Sequence, residues 1–384
     1  MVDYEGAGFF ASAAERGPPG VDRGYRDGVE WRSIERVVRS PRAHPWLLAG
    51  LTLWLVACAS PRSSAIDMAV RTEPPNWFAE YASSADGLGE DVVALGDGTD
   101  SAPPQVRSID GTWADLVPVP AGGNFIANSL GDTVVAWGAE CSGDCADGGP
   151  LAVFLLADDR SEWRRLDVPR VIINSEVETV PYPSAGERFV LSVGREFIQI
   201  DRTGQVESLP GWPDGARTVC LTEAGLVALG SSGSAGLVAP VERVEVLDLE
   251  EVGAGWRPAS APPVGVTTDH QAQLCGPRSV LVLDAATDTE WRYLPLEDRW
   301  TSVPTNYRAA AQSTWYPSDW HGEVGWAPDG STVVGSTPAG VLVRGDDGTW
   351  TPTDHQPGQI IATDAAVYVV NEASPDAQQV WPRP

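Results

Sequence analysis

Residues 134–169 read VVAWGAECSGDCADGGPLAVFLLADDRSEWRRLDVP. A β-branched run, Val134-Val-Ala-Trp-Gly138, is followed after a Gly-rich loop by a second apolar run, 151–156. An Asp-rich turn then leads to Glu162-Trp163 and on to Pro169. Runs this short, bounded by turn residues, predict antiparallel strands, because branched side chains pack on a pleated surface and a helix needs more length.

The same phrase returns along the chain. Its first run recurs as Val92-Val-Ala-Leu-Gly96, Val190-Leu-Ser-Val-Gly194, Leu226-Val-Ala-Leu-Gly230, Val280-Leu-Val-Leu283, Val333-Val-Gly335 and Val367-Tyr-Val-Val370. Its second run recurs at 197–200, 244–249, 291–294 and 340–343, and its Trp phrase at 111–120, 255–262, 299–304 and 348–352. In the third copy 206–210 takes the Trp slot without a Trp. The anchors stand about 43 to 50 residues apart, the period of four-stranded propeller blades. One such unit cannot bury both its faces, whereas a closed ring of units does so and leaves only short edges. The phrase resembles the kelch repeat: an inner strand ending in Gly, a middle strand ending near Asp, then Trp-x-x-Leu-x-x-Pro. That resemblance implies an all-β propeller of six or seven four-stranded blades over residues 86–384. Seven is the expectation, because the tail supplies strands at 367–370 and 378–381, and Asn76-Trp77-Phe78 supplies an outer strand that closes the last blade.

Composition agrees with many turns and few helices: Gly and Pro number 40 and 32 among 384 residues. The net charge is −27 and every basic residue is Arg. Such a chain repels phosphate backbones, so no nucleic-acid partner is expected.

Upstream of the repeats, residues 46–57 read WLLAGLTLWLVA, preceded by Arg32, Arg36, Arg39, Arg42 and His44. Basic then apolar, and too short for a spanning helix, this is the grammar of a secretory signal. It ends Leu55-Val56-Ala57-Cys58, which resembles the bacterial lipobox. The resemblance implies cleavage before Cys58, its lipidation, and a place on the outer face of the cytoplasmic membrane; the ring is expected to be monomeric. A plain signal peptide cut near Ala57, giving a secreted chain, is the alternative. Residues 1–57 are read as export signal, with translation starting downstream of Met1, at Val29, Val37 or Val38. Residues 58–85 are read as lipidated Cys and flexible tether. In an oxidising compartment the four remaining cysteines are expected in disulfides. Cys141 and Cys145 suit a local staple. Cys220 and Cys275 occupy matching points of successive repeats and would tie neighbouring blades.

No hydrolase elbow, zincin helix, phosphate loop or dinucleotide fingerprint appears. The turns 108–113 and 346–350 read as strand-joining β-turns. Three histidines downstream of Cys58 each stand beside or near an Asp: Asp269 and His270, Asp319 and His321, Asp354 and His355. All fall in linkers between a Trp phrase and the next repeat, so they share one face. His with carboxylate suits a divalent metal or a general-base pair; solvated linker residues are the plainer reading. Trp315, Trp320 and Trp326 form the densest aromatic stretch, suited to glycan or protein contact or to packing between blades. The expected function is a binding or scaffolding module for protein or glycan. The alternative is an extracytoplasmic carbohydrate-active hydrolase or lyase using the Asp/His linkers.

Overall fold

The computed structural model describes residues 85–94, 104–141, 148–173, 179–182, 188–231, 239–263, 266–268, 273–284, 287–313, 324–371 and 374–382. The chain divides into two units, 1–62 and 63–384, and every described residue belongs to the second. That unit is a seven-bladed β-propeller, in which each blade is a meander whose strands pair in chain order.

Blade 1 holds Ala85–Leu88, Asp91–Ala94, Gln105–Arg107 and Trp113–Asp115. Blade 2 holds Gly123–Leu130, Thr133–Glu140, Gly149–Leu156 and Trp163–Arg165. Blade 3 holds Thr179–Tyr182, Arg188–Val193, Glu196–Asp201 and Val206–Leu209. Blade 4 holds Ala216–Thr222, Gly225–Gly230, Arg243–Leu247 and Arg257–Pro258. Blade 5 holds Gln273–Cys275, Val280–Asp284, Thr289–Leu294 and Arg299–Pro304. Blade 6 holds Val324–Trp326, Val333–Thr337, Gly340–Arg344 and Trp350–Pro352. Blade 7 shows three strands among the described residues, Gln359–Ala362, Val367–Asn371 and Ser374–Trp381. Asn76-Trp77-Phe78, the segment expected to complete it, lies outside the described residues.

The β-branched run that the sequence reads as the inner strand is the second strand of its blade. A further strand precedes it each time, and first strands approach one another between blades 1 and 2, 4 and 5, 6 and 7, and 7 and 1. Gly87 in blade 1 approaches blade 7 so closely that a Cβ there would fall 1.8 Å from the Ala362 carbonyl oxygen. The difference has a simple cause. Second strands such as Gly225–Gly230 are buried along their whole length, so they are uniformly apolar and conspicuous. First strands such as Ala216–Thr222 are half exposed at their start and carry a mixed sequence.

Seven apolar clusters fill the seven seams, one between each pair of adjoining blades. The seam that closes the ring packs Val92, Ala94 and Trp113 of blade 1 against Ile361, Tyr368 and Val370 of blade 7. The recurrent Trp is the latch of these seams. Standing at the fourth strand, Trp163 donates its indole N–H to the Val117 carbonyl at 2.8 Å. Trp256 does the same to Gly211 at 2.7 Å and Trp300 to Ser260 at 3.1 Å. Each acceptor lies in the linker that leaves the preceding blade. In blade 6 the backbone of Trp350 is held instead by Asn306, whose amide gives and takes one bond each, at 3.0 and 2.7 Å.

Candidate functional site

Strand alternation gives the ring two unlike faces. On one lie the turns between first and second strands and between third and fourth. On the other lie the loops between second and third strands and the linkers from blade to blade.

The short-turn face is locked. Several of its connections are two residues long, such as 89–90, 131–132 and 223–224. Between third and fourth strands of blades 1, 2, 3, 4 and 6 an Asp folds the turn onto its own carboxylate, while Asp298 of blade 5 accepts from the Ser260 N–H and the Tyr293 hydroxyl instead. Asp110 accepts from the Thr112 N–H and hydroxyl at 2.9 and 2.7 Å, and Asp159 from those of Ser161 at 3.0 and 2.6 Å. Those hydroxyls, followed by the backbone N–H groups, hold both carboxyls below the usual range. Asp347 is lowered first by the Thr349 N–H at 2.9 Å. At Asp201 partial burial pushes upward, and bonds from Thr203, Gln205 and Gly204 together outweigh it. The turns 108–113 and 346–350 are thus structural, as the sequence suggests. Ion pairs then stitch blade to blade on this face: Arg160 with Asp91, Arg202 with Asp132, Arg188 with Glu250, and Arg278 with Glu223.

The linker face carries the longest connections, among them 231–242, 259–272 and 305–323, beside two-residue turns at 194–195 and 338–339. Two carry added structure. Ala239–Pro240 pairs with Thr267–Thr268, joining the 231–242 loop to the linker just ahead of Asp269 and His270. Linker 305–323 begins with the helix Tyr307–Ala311, whose Tyr307 ring is buried edge-on against Trp350 at 5.1 Å.

Asp354 and His355 lie on this face in linker 353–358. Thr353 continues the pairing of the fourth strand: its N–H and hydroxyl both reach the Val341 carbonyl at 2.9 Å, and Val341 N–H reaches the His355 carbonyl at 3.2 Å. The Thr353 hydroxyl also accepts from the His355 N–H at 3.2 Å and lies 3.3 Å from Nδ1, where the tautomer of the ring decides which of the two donates. Asp354 is exposed beside it. Among the described residues no group of three or more His, Cys, Asp or Glu is placed to hold a metal. Asp269, His270, Asp319 and His321 lie outside the described residues, as do Trp315 and Trp320. Trp326 packs between blades 5 and 6, its ring so close to Gly276 that a Cβ there would fall 2.3 Å away.

Cys220 and Cys275 are joined in a disulfide across the first strands of blades 4 and 5, which suits an oxidising, extracytoplasmic setting. Cys141 is also disulfide-bonded, while Cys145 and Cys58 lie outside the described residues. No helix among the described residues is long and apolar enough to cross a membrane.

One feature of the seams escapes a reading by apolar pattern. Arg344 of blade 6 and Glu290 of blade 5 form a bidentate ion pair, with Nε to Oε2 at 2.7 Å and Nη2 to Oε1 as its second arm. Both side chains are fully buried. Arg107 of blade 1 meets Asp376 of blade 7 in the same relation at 3.2 Å, and its guanidinium lies over the Tyr368 ring. The signal was present, since the two arginines open the same phrase, Arg-x-x-Asp-Gly-Thr-Trp, at 107–113 and 344–350.

No family model matches the chain, and no curated protein matches it. Among solved structures the chain is similar to apo AztD from Citrobacter koseri, with 15% identity and a TM-score of 0.41 over 71% of each chain. It is also similar to Hsv2 from Kluyveromyces lactis, at 10% identity and a TM-score of 0.43 over 74% of this chain and 87% of that one. A third is an oligogalacturonate lyase in complex with manganese, at 10% identity and a TM-score of 0.42 over 65% and 70%. At such identities the likeness concerns the fold alone.

Proposed function

We propose that this chain is an exported, Cys58-lipidated propeller with kelch-like repeats that works as a binding or scaffolding module for protein or glycan, through its linker face. The observation that carries this reading is the contrast between the faces. One is tied by Asp carboxylates and blade-to-blade ion pairs. The other bears the longest connections, 231–242, 259–272 and 305–323, and binding residues concentrate on such loops when a rigid scaffold displays them. His355, held beside Thr353, supplies a polar contact there. The net charge of −27 favours cationic or neutral partners over anionic ones.

Binding of the purified ring to a glycan array and to immobilised cell-envelope fractions tests the proposal. Binding that weakens with His355→Ala and Asp354→Asn, while Asp132→Asn on the opposite face leaves it unchanged, supports the linker face. Binding lost equally from either face would refute it. Turnover of an oligosaccharide by the ring would favour the hydrolase or lyase alternative.

A further inference from the structure

The seam between blades 5 and 6 carries more positive charge at its outer edge than it balances. Glu290 and Arg292 stand two residues apart on the third strand of blade 5, so both face blade 6, while Trp291 and Tyr293 pack toward blade 4. Arg344 of blade 6 engages both oxygens of Glu290. Arg292 is half-buried and makes no hydrogen bond or ion pair among the described residues, where every other arginine is either exposed or partnered. Burial first, and then the Arg344 charge, hold its guanidinium below the ordinary arginine range; Glu290 and the exposed Asp346 pull the other way without outweighing them. A charge that bears desolvation and like-charge repulsion with no bond in return marks a place where function overrides stability.

The neighbouring fourth strand, Arg299–Pro304, supplies an independent observation. It is six residues long, where the other described fourth strands have two to four. No strand among the described residues pairs with its outer edge. The Thr305 N–H bonds the Asp288 carbonyl at 2.9 Å. By alternation Val303, Thr301 and Arg299 turn their backbone groups to the third strand, and Ser302 and Trp300 turn theirs outward. Arg299, exposed, and Thr301, directly opposite Arg292, project on the blade-6 side of the strand. Arg299 is thus a diagonal neighbour of Arg292, within reach of long side chains.

We propose that this edge is a binding surface separate from the linker face: an extended acidic peptide adds to it as a fifth strand of blade 5, its alternate carboxylates reaching Arg299 and Arg292. The outward groups of Ser302 and Trp300 supply the main-chain pairing, and the two guanidinium forks select the carboxylates. The occupant is a peptide because what lies open is a ladder of backbone N–H and C=O groups. The site opposes the net charge of −27, since the field of the whole chain would draw a basic partner instead.

Fluorescence anisotropy of labelled peptides with the purified chain at low salt tests this. The probes alternate valine with glutamate, glutamine or lysine. Affinity should fall in that order, with glutamate ahead of glutamine by about tenfold, the size of one charge-assisted bond. Arg292→Gln should bring the glutamate peptide down to the glutamine one and melt no lower than wild type, because the seam loses a charge it does not use. Arg299→Gln, on the exposed strand, should weaken the glutamate peptide in the same direction. A glutamate peptide N-methylated at alternate residues keeps its carboxylates, loses the ladder and should bind at least several-fold more weakly. Tightest binding by the lysine peptide, a lower melting temperature for Arg292→Gln, or undiminished binding of the N-methylated peptide overturns the proposal. So does an oligouronate that competes as well as the glutamate peptide, which would make the ligand a glycan.

Discussion

Replacing Arg344 by Leu removes the cation of a pair whose two side chains are both 0% exposed. The Glu290 carboxylate would then lose the bidentate guanidinium that compensates it in the seam between blades 5 and 6, or the seam would have to admit water. Breaking such a pair from one side costs about 3–5 kcal/mol, because the orphaned charge keeps its desolvation penalty and loses its compensation. Glu290→Leu should cost a similar amount, since Arg344 would lose its bidentate carboxylate and keep the long contact of 3.4 Å to the Ser331 carbonyl. The double replacement is the informative one. With both charges gone the seam becomes apolar, and the loss should fall below that of either single change, as replaced buried pairs are often neutral or better. The homologous pair gives an internal control. Asp376 is 55% exposed, so Asp376→Asn should cost at most about 1 kcal/mol, in the range of solvent-screened pairs. Urea unfolding followed by tryptophan fluorescence, with the slope checked for constancy, measures all four variants. A double mutant as costly as the two singles summed, or singles no worse than Asp376→Asn, would refute this account of the seam.

Three further outcomes follow from the same packing. Cys220→Ala with Cys275→Ala frees a 55-residue loop and should lower unfolding free energy by about 4 kcal/mol on the chain-entropy estimate, read by the same titration. Trp163→Phe or Trp256→Phe keeps a ring in the seam but removes the indole donor, and should cost about 0.5–1.5 kcal/mol; Trp→Ala at either site should cost about 3–5 kcal/mol. Asp110, Asp159 and Asp347 have lowered folded-state values, so their contribution is present above the free-carboxyl range near 3.9 and is lost as pH falls through the folded value. The stability gap between wild type and Asp110→Asn should therefore persist at neutral pH and vanish in acid, as measured by melting across pH.

The fold was legible because burial on both sides forces a strand to be apolar throughout. Val134-Val-Ala-Trp and Leu226-Val-Ala-Leu stand out for that reason, and the Trp phrases stand out because each latch needs the same ring at the same place. First strands were missed because partly exposed residues interrupt them: 216–222 opens with Ala216, Arg217 and Thr218, and 359–362 with Gln359, before their apolar residues enter the seams on either side. Rank within the blade was misassigned for the same reason: the most apolar strand is the second, not the one at the axis. The face of His355 was legible, since topology alone decides on which side linker 353–358 runs. What holds His355 was not, because the Thr353 bond depends on how the fourth strand carries its pairing beyond Pro352. The pairing of Arg344 with a residue 54 positions away is invisible to any local pattern, although the phrase shared with Arg107 marked both sites.

The intact mass of the chain extracted from the membrane fraction, with its N-terminal fragment sequenced, tests the central claim most directly. The account predicts a chain beginning at Cys58 and carrying diacylglyceryl and acyl mass, with the Cys220–Cys275 bridge intact. A chain that begins elsewhere, carries no lipid and washes free of the membrane would contradict it.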